Sequence, residues 1–189
     1  LQPLDLNPDI VQLMGSVTCE SISSTPQAVV TSLAEMFHGH ADFLNLPLYI
    51  PNDYVRETLC NDANNSVILK KGIFCDKVIA SIGTMGKIRE SDYWRGSMPP
   101  EIYKDLVEKG ACGSILGRFF DANGQELACD WNEKSISLSI QQLRNISDVV
   151  IVASPVSKAP ALLAALKGDF INTLITDGTT ATRILNEAK

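Results

Sequence analysis

The sequence has few cysteines and no metal-binding spacing among them. It contains five cysteines, an odd number, and no two of them form a C-x-x-C pair. A structural zinc site needs closely spaced Cys and His ligands, and a secreted disulfide framework favours an even number of cysteines. The composition therefore favours reduced, mostly buried thiols in a cytoplasmic protein, and we expect neither a bound metal nor a cofactor.

Long hydrophobic runs and an excess of positive charge are also missing. The longest apolar stretches, such as residues 149–153, have the length of a strand, whereas a bilayer span needs about 20 residues. Sixteen Lys and Arg against 22 Asp and Glu leave a net charge of −6. Because phosphate neutralisation drives nucleic-acid affinity, this charge argues against DNA contact by these residues alone. It argues equally against a polybasic membrane-surface protein.

Common catalytic motifs are absent. The sequence contains neither G-x-x-x-x-G-K-[ST] nor G-x-G-x-x-G, and it has no G-x-S-x-G nucleophile elbow. The two histidines, His38 and His40, lie in a His-Gly-His turn without neighbouring Cys or carboxylate ligands, which favours an ordinary loop. The residues therefore give little support for an enzyme.

Short apolar runs alternate with helical patterns along the chain. Such alternation is typical of βαβ crossovers and a parallel sheet. Strand-like runs cover residues 9–14, 43–50, 77–83, 149–153 and 172–176, and helical patterns cover 26–38, 53–60, 63–71, 101–109, 157–166 and the segment after Asp177.

An Asn-Gly pair interrupts this alternation. Asp121 to Gly124 separates two β-type runs at 115–120 and 125–129, and Asn-Gly between such runs predicts a hairpin. Arg118 alternates with apolar residues on the first run, so we expect a solvated hairpin face with Arg118 on the surface or in contact with a partner. The fold class predicted is α/β: a Rossmann-like parallel sheet flanked by helices, with an antiparallel β-hairpin insertion.

Candidate ligand-binding residues follow the ends of the predicted strands. In open parallel sheets ligands bind outside the carboxyl ends of the strands, where backbone amides and helix dipoles favour anions. Four such ends carry small or polar residues: Gly15, Gly83 with Thr84, Ser157 with Lys158, and Asp177 with its Gly and Thr neighbours. For each of these segments taken alone an ordinary turn or helix cap is the favoured interpretation, with Lys158 as the exception.

Lys158 and Asp177 differ in how well local structure explains them. A cation in the first turn of a helix opposes the helix dipole, so Lys158 makes sense if it meets a ligand phosphate or sugar oxygen. A solvent-facing lysine fits the local pattern as well. Asp177 is explained as an N-cap, so a role in binding is not required.

Two longer strings resemble one family. Residues 113–124 (GSILGRFFDANG) resemble the GRFFDxxG hairpin of the SorC-type sugar-binding domain. Residues 172–181 (NTLITDGTTA) match that family's N-x-L-[IV]-T-D-x-x-x-A string. The strand end at Ile82-Gly83 and the helix start at Ser157-Lys158 occur in the family's order, so the resemblance runs from about residue 9 to the end.

The resemblance implies a function and a domain arrangement. Members are bacterial transcriptional regulators of carbohydrate metabolism, with an N-terminal helix-turn-helix and a C-terminal domain that senses a phosphorylated sugar. That domain has the fold of phosphosugar isomerases and CoA transferases, used without catalysis. We therefore expect residues 1–189 to form the sugar-phosphate effector-binding domain without its first strand and helix. The DNA-binding domain would lie outside this chain, which lacks an initiator Met, and the regulator would assemble as a homodimer or homotetramer on operator DNA.

The resemblance also implies a binding site. Lys158 matches a ligand-contacting lysine, Gly15 and Gly83 match strand-end glycines, and Asp177 matches the capping aspartate. Some relatives have an acidic residue where this chain has Ser114, and a hydroxyl and a carboxylate satisfy different sugar hydroxyls. The ligand-binding residues expected are Lys158, Ser157, Gly15, Gly83, Thr84, Ser114 and Asp177.

Two other functions remain open at this point. An enzyme of the same fold, a phosphosugar isomerase or deaminase, would need a general base poised near neutral pH. Apart from the two turn histidines, Asp177 is the candidate for that base. A protein-interaction module with a vestigial pocket is the third hypothesis.

Overall fold

The computed structural model describes residues 6–17, 25–88, 94 and 98–188. The strands are β1 Asp9–Val11, β2 His40–Asp42, β3 Lys77–Ala80, β4 Ile82–Thr84, β5 Gly113–Ile115, β6 Arg118–Phe120, β7 Asp148–Val152 and β8 Thr173–Ile175. The helices are α1 Pro26–Phe37, α2 Asp53–Cys60, α3 Ala63–Ile73, α4 Met85–Ile88, α5 Pro100–Glu108, α6 Asp130–Lys134, α7 Ile140–Leu143, α8 Ala159–Lys167 and α9 Gly178–Glu187. A 3₁₀ turn, Val156–Lys158, precedes α8.

A three-stranded parallel sheet, in the order β3-β7-β8, positions the C-terminal half of the chain. Val78 faces Val149 across the first strand pair, and Ile151 faces Leu174 across the second. Val78, Val149 and Ile151 are almost fully buried, in one core cluster with the apolar face of α8. The predicted βαβ arrangement and the α/β fold class are therefore confirmed.

A second parallel pair, β1 with β2, is joined through α1. Thr25 caps α1 by accepting a hydrogen bond from the Ala28 amide, and α1 covers most of the helical pattern predicted at 26–38. The strand predicted over residues 9–14 is too long, since β1 ends at Val11 and Met14 makes an isolated bridge to Ser137.

The strand predicted over residues 43–50 is wrong. Leu44, Leu46, Leu48 and Ile50 are buried at alternate positions, but the segment pairs only through isolated bridges. Pro47 lies in the middle of the run, and proline has no amide to donate to a sheet ladder.

The run at residues 77–83 is two strands rather than one. β3 ends at Ala80, and after Ser81 the chain enters β4, which pairs antiparallel with β5 in the sheet β4-β5-β6. Continuous hydrophobicity does not reveal such a change of sheet, because both segments are apolar. The break places Ser81 at the carboxyl end of β3.

The antiparallel insertion is confirmed, although its turn is displaced. β5 and β6 are joined at Leu116-Gly117, whose φ angles of 48° and 78° match a two-residue hairpin turn. The Asn123-Gly124 turn instead leads from β6 to a single bridge between Phe120 and Glu126. Its geometry is held by Asp121, whose carboxylate accepts from the amides of Asn123 and Gln125.

Arg118 does not lie on a solvated surface. Its side chain is 13% exposed, and the guanidinium bonds Glu126 and the carbonyls of Asn132, Ser135 and Ser137. The segment at 132–137 covers the hairpin face that alternation predicted to be wet. None of the helices in the described part of the chain has the length and apolarity that a bilayer crossing requires.

Candidate functional site

The three parallel strands end at a common edge. Ser81 follows β3, the 3₁₀ turn follows β7, and Thr176 and Asp177 follow β8. The Thr176 hydroxyl donates to the Ala153 carbonyl at 2.7 Å, which ties the last two strand ends together. Ligands bind at this edge in open parallel sheets, so it is the first place to look for a site.

Lys158 is a half-buried cation at this edge. Its Nζ donates to the Ser81 Oγ at 3.3 Å. Burial lowers the pKa of Lys158, because the charged form loses hydration without gaining a carboxylate partner. Lys71, Lys109 and Lys134 have raised pKa values because each bonds an aspartate. Lys158 thus differs electrostatically from these three lysines.

Gly83 and Ser114 face each other across β4 and β5. A Cβ on Gly83 would lie 2.5 Å from the Ser114 Oγ, so a hydrogen at position 83 leaves room for the serine side chain. A Cβ on the neighbouring Gly113 would lie 2.8 Å from the Cβ of Ala161, one turn after Lys158. The first turn of α8 therefore packs directly on this strand pair.

The structure brings most of the predicted residues into one region. Ser157 is exposed in the same 3₁₀ turn as Lys158, and Thr84 pairs with Gly113 at the end of β4. The 3₁₀ turn contacts β4, and α8 contacts both β4 and β5. Five predicted residues thus surround the junction between the sheets β3-β7-β8 and β4-β5-β6: Gly83, Thr84, Ser114, Ser157 and Lys158.

Gly15 lies in a different environment. A Cβ on Gly15 would meet the Pro47 carbonyl oxygen at 2.5 Å, and its amide donates to the Ile136 carbonyl at 2.8 Å. These contacts explain the glycine by close packing of two backbone segments. Its role in ligand binding stays a prediction.

Asp177 acts as the N-cap of α9. One carboxylate oxygen accepts from the Thr180 amide at 2.9 Å, and the other accepts from the Thr180 hydroxyl at 2.6 Å. These bonds from Thr180 lower the pKa of Asp177. A carboxylate with a lowered pKa is a weak general base at neutral pH, so the geometry suits the capping role.

An open depression of about 670 Å³ lies on the other side of the 3₁₀ turn. Val156 forms one wall, and Gly178, Thr179, Thr182 and Arg183 of α9 form the other. Lys158 and Ser114 do not line it. This depression and the half-buried Lys158 therefore mark two adjoining parts of one edge.

Two residues at or near this region were missed by pattern reading. Ser81 was not predicted as a site residue because residues 77–83 have the pattern of one continuous strand. The sequence signal that could have identified the strand end there is the hydroxyl residue directly before Ile82-Gly83. Arg118 was assigned to the surface because its alternation with apolar neighbours says nothing about a covering segment. In the described residues no group of three or more His, Cys, Asp or Glu is placed to hold a metal.

Comparison with known proteins identifies the family. A family model described as "Putative sugar-binding domain" matches residues 6–186. The chain belongs to this sugar-binding domain family. The match covers nearly the whole chain, including both strings that resemble the SorC-type domain.

Relatives of this sugar-binding domain are regulators rather than enzymes. The deoxyribonucleoside regulator of Bacillus subtilis is 28% identical over 179 residues, which cover 95% of this chain and 56% of the regulator. The full-length sorbitol operon regulator SorC of Klebsiella pneumoniae has the same fold, with a TM-score of 0.88 at 21% identity over 97% of this chain and 60% of that one. The sugar-binding domain therefore spans little more than half the length of such regulators.

The solved structure of a sugar-binding domain gives a second comparison of the fold. A sugar-binding domain of a transcriptional repressor from Vibrio fischeri superposes with a TM-score of 0.84 at 23% identity. The match covers 96% of this chain and 71% of the Vibrio chain. The SorC-type resemblance and the fold class are thus both confirmed.

Proposed function

We propose that this chain is the effector-binding part of a bacterial transcriptional regulator of carbohydrate metabolism, and that it binds a phosphorylated sugar at the carboxyl edge of β3, β7 and β8. Lys158 receives the phosphate in this proposal. Ser81 and Ser157 supply hydroxyls to the phosphate or the sugar, while Gly83 and Thr84 form the adjoining wall, with the buried Ser114 packed against Gly83.

The electrostatic state of Lys158 is the observation that carries the proposal. In the described part of the chain its ammonium has a hydroxyl partner and no carboxylate partner. Removing a cation from water without a counter-charge costs free energy. An anionic ligand would offset that cost, and it would raise the pKa of Lys158 because a neighbouring negative charge favours the protonated form.

The backbone around Lys158 offers few further donors to a ligand. The amides of Lys158 and Ala159 donate to the carbonyls of Pro155 and Val156, and Pro160 has no amide hydrogen. In this proposal the phosphate is therefore held by side chains, with Lys158 as the cation.

Titration with sugar phosphates, and with the same sugars lacking the phosphate, tests this proposal. We expect members of a panel of sugar phosphates to stabilise the chain by about 2.7 kcal/mol at 100 times the dissociation constant. The same sugars without phosphate should stabilise it much less. Absence of stabilisation by every sugar phosphate would contradict the proposal.

The Lys158→Met variant tests whether Lys158 contacts the phosphate of the ligand. We expect it to weaken sugar-phosphate binding by roughly 10–100-fold, because a hydrogen bond to a charged group contributes about 1.5–3 kcal/mol. Lys167→Met is the matched control, since Lys167 lies exposed at the other end of α8. Equal loss of affinity in both variants would point to general charge attraction instead of a contact at Lys158.

The greater length of the relatives supports a further step from binding to regulation. We propose that a helix-turn-helix domain outside residues 1–189 contacts operator DNA, and that the regulator is a homodimer or homotetramer. The sugar phosphate would change operator affinity only if it binds two states of the oligomer with different affinities.

A further inference from the structure

Gln12 is a buried glutamine whose side-chain oxygen has no hydrogen-bond donor. It follows directly after β1 and is 3% exposed. Its Nε2 donates to the Met14 carbonyl at 2.7 Å, whereas no donor in the described part of the chain reaches its Oε1. Burying an acceptor without a donor costs free energy, and the large majority of buried polar atoms have a partner. We therefore expect the Gln12 Oε1 to accept from a bound molecule.

Gln12 lines a cavity of about 60 Å³ at the carboxyl end of β1. Residues of α3 and of the segment 137–142 form the other walls. A water molecule takes about 30 Å³ of liquid volume, so the cavity has room for about two waters or one short alcohol. Lys158 does not line this cavity, which is therefore separate from the site proposed for the sugar phosphate.

Two hydrogen-bond donors line the same cavity. The Gln142 Oε1 accepts from the Ser139 amide at 2.8 Å, which leaves the Nε2 hydrogens of Gln142 for another acceptor. The Ser137 Oγ accepts from the Arg118 Nε at 3.1 Å, which leaves the hydroxyl hydrogen of Ser137 for another acceptor. The lining thus combines one acceptor with two donors, and a hydroxyl group satisfies both kinds because it donates and accepts.

The rest of the lining favours a neutral molecule. The described residues that line the cavity carry no charged side chain, so an ion would lose its hydration there without gaining a counter-charge. Leu13 and Leu138 contribute apolar surface beside the three polar side chains. A small neutral hydroxyl compound matches this combination.

Gly72 of α3 also lines the cavity and is buried. A Cβ at this position would lie 3.2 Å from the Leu13 Cδ2 and 4.0 Å from the Leu138 Cδ2. Glycine is a poor helix former compared with alanine, so helix propensity does not explain its presence. A methyl group at position 72 would take up space between these two leucines, and this makes Gly72→Ala a probe of the cavity.

We propose that this cavity is a binding site for a hydroxyl group, supplied by water or by a short alcohol. The hydroxyl donates to the Gln12 Oε1 and accepts from the Gln142 Nε2 or the Ser137 hydroxyl. Leu13 and Leu138 contact the remainder of the ligand. The two sources share these hydrogen bonds, and they differ in whether a carbon chain fills the apolar part.

Magnetic relaxation dispersion of the water oxygen counts long-lived internal waters and tests water as the source. We expect the unsubstituted chain to hold about two more such waters than the Gln12→Met variant, which keeps the length of the side chain and removes the acceptor. Gly72→Ala should lose at least one of them. Gly86→Ala is the matched control, because a Cβ on the exposed Gly86 meets nothing within 4 Å and should leave the count unchanged.

Titration with ethanol, followed by methyl chemical shifts, tests an alcohol as the source. We expect the Leu13 and Leu138 methyl shifts to saturate, with an affinity roughly 2–10-fold weaker in Gln12→Met, the range that one neutral hydrogen bond contributes. The Val67 methyl groups are the control, because Val67 is exposed on α3 outside the cavity and should show only a linear solvent shift. Long-lived waters without saturable ethanol shifts identify water as the ligand, and saturable shifts identify an alcohol.

The proposal also has an outcome that contradicts it. Equal water counts in the unsubstituted chain and in Gln12→Met, together with linear ethanol shifts at Leu13 and Leu138, would overturn it. Where a variant does not fold, the unsubstituted chain decides the question. In that chain the Leu138 methyl hydrogens should show nuclear Overhauser effects of the sign that a long-lived water gives, and absence of both these effects and saturable ethanol shifts would overturn the proposal as well.

Discussion

Arg118 and Lys158 show how one type of charge serves two purposes. The Arg118 guanidinium is enclosed by acceptors, with Glu126 at 2.7 Å and the Asn132 carbonyl at 2.7 Å. Lys158 has a serine hydroxyl at 3.3 Å. A fully paired cation connects parts of the fold, whereas a cation without a counter-charge is suited to an anionic ligand.

Replacement of Arg118 should destabilise the fold. We expect Arg118→Met to lower the free energy of unfolding by about 3 kcal/mol, because it leaves a largely buried carboxylate and several carbonyls without their donor. Urea denaturation measures the change. Arg183→Met is the control, since the Arg183–Glu187 pair is exposed on α9 and such pairs contribute under about 1 kcal/mol. Similar losses in both variants would contradict the central role assigned to Arg118.

The sequence alone could indicate the role of Lys158 but not that of Arg118. Both stand beside apolar residues, and the partners of Arg118 lie 8 to 19 residues away along the chain. The partner of Lys158 lies 77 residues away. Lys158 was found because its position at a helix start conflicts with the helix dipole, and this is a local property. The pairing of Arg118 is a tertiary property that no local pattern contains.

At the scale of elements, the strand pair β4–β5 depends on the fit between Gly83 and Ser114. We expect Gly83→Ala to destabilise the chain by about 1–3 kcal/mol, since the added methyl group overlaps the serine hydroxyl. Ser114→Ala should recover part of that loss in the double variant, because it removes the overlapping atom. Chemical denaturation of the two single variants and the double variant measures the coupling. Strictly additive losses would mean that the overlap is relieved elsewhere.

Helices were easier to predict than strands in this chain. α2 has the predicted bounds, and its start is marked by a local signal, the Asn52 N-cap, whose side chain accepts from the Val55 amide. The runs at 43–50 and 77–83 have apolar residues that equally suit a strand, an irregular buried segment or two strands in different sheets. Which of these forms depends on distant partners, such as Ser114 for Gly83.

At the scale of the whole molecule, the described residues form two parallel sheets and one antiparallel sheet rather than a single layered sheet. β1 and β2 pair with each other, and β3 pairs with β7, but the structure gives no ladder between the two groups in its described part. Both groups share the crossover pattern that the sequence predicted. The larger of them, β3-β7-β8, is the sheet whose strand ends position Lys158.

The charge of the molecule leads to a further prediction, namely that this chain alone does not bind duplex DNA. The net charge is −6, and many cations of the described residues are already paired with carboxylates: Arg56, Lys71, Lys77, Lys109, Arg118, Lys134 and Arg183. Phosphate binding needs free cations that displace counterions from DNA.

Fluorescence anisotropy of a labelled duplex measures this directly. At about 150 mM salt we expect no binding tighter than the range of roughly 10⁻⁴ M that marks weak non-specific contact. Lowering the salt should produce little change, because few phosphates are neutralised and the salt dependence scales with their number. A steep salt dependence with micromolar affinity would contradict this prediction, and it would place DNA-binding residues within the 189 residues rather than in the additional length of the regulators that this domain matches.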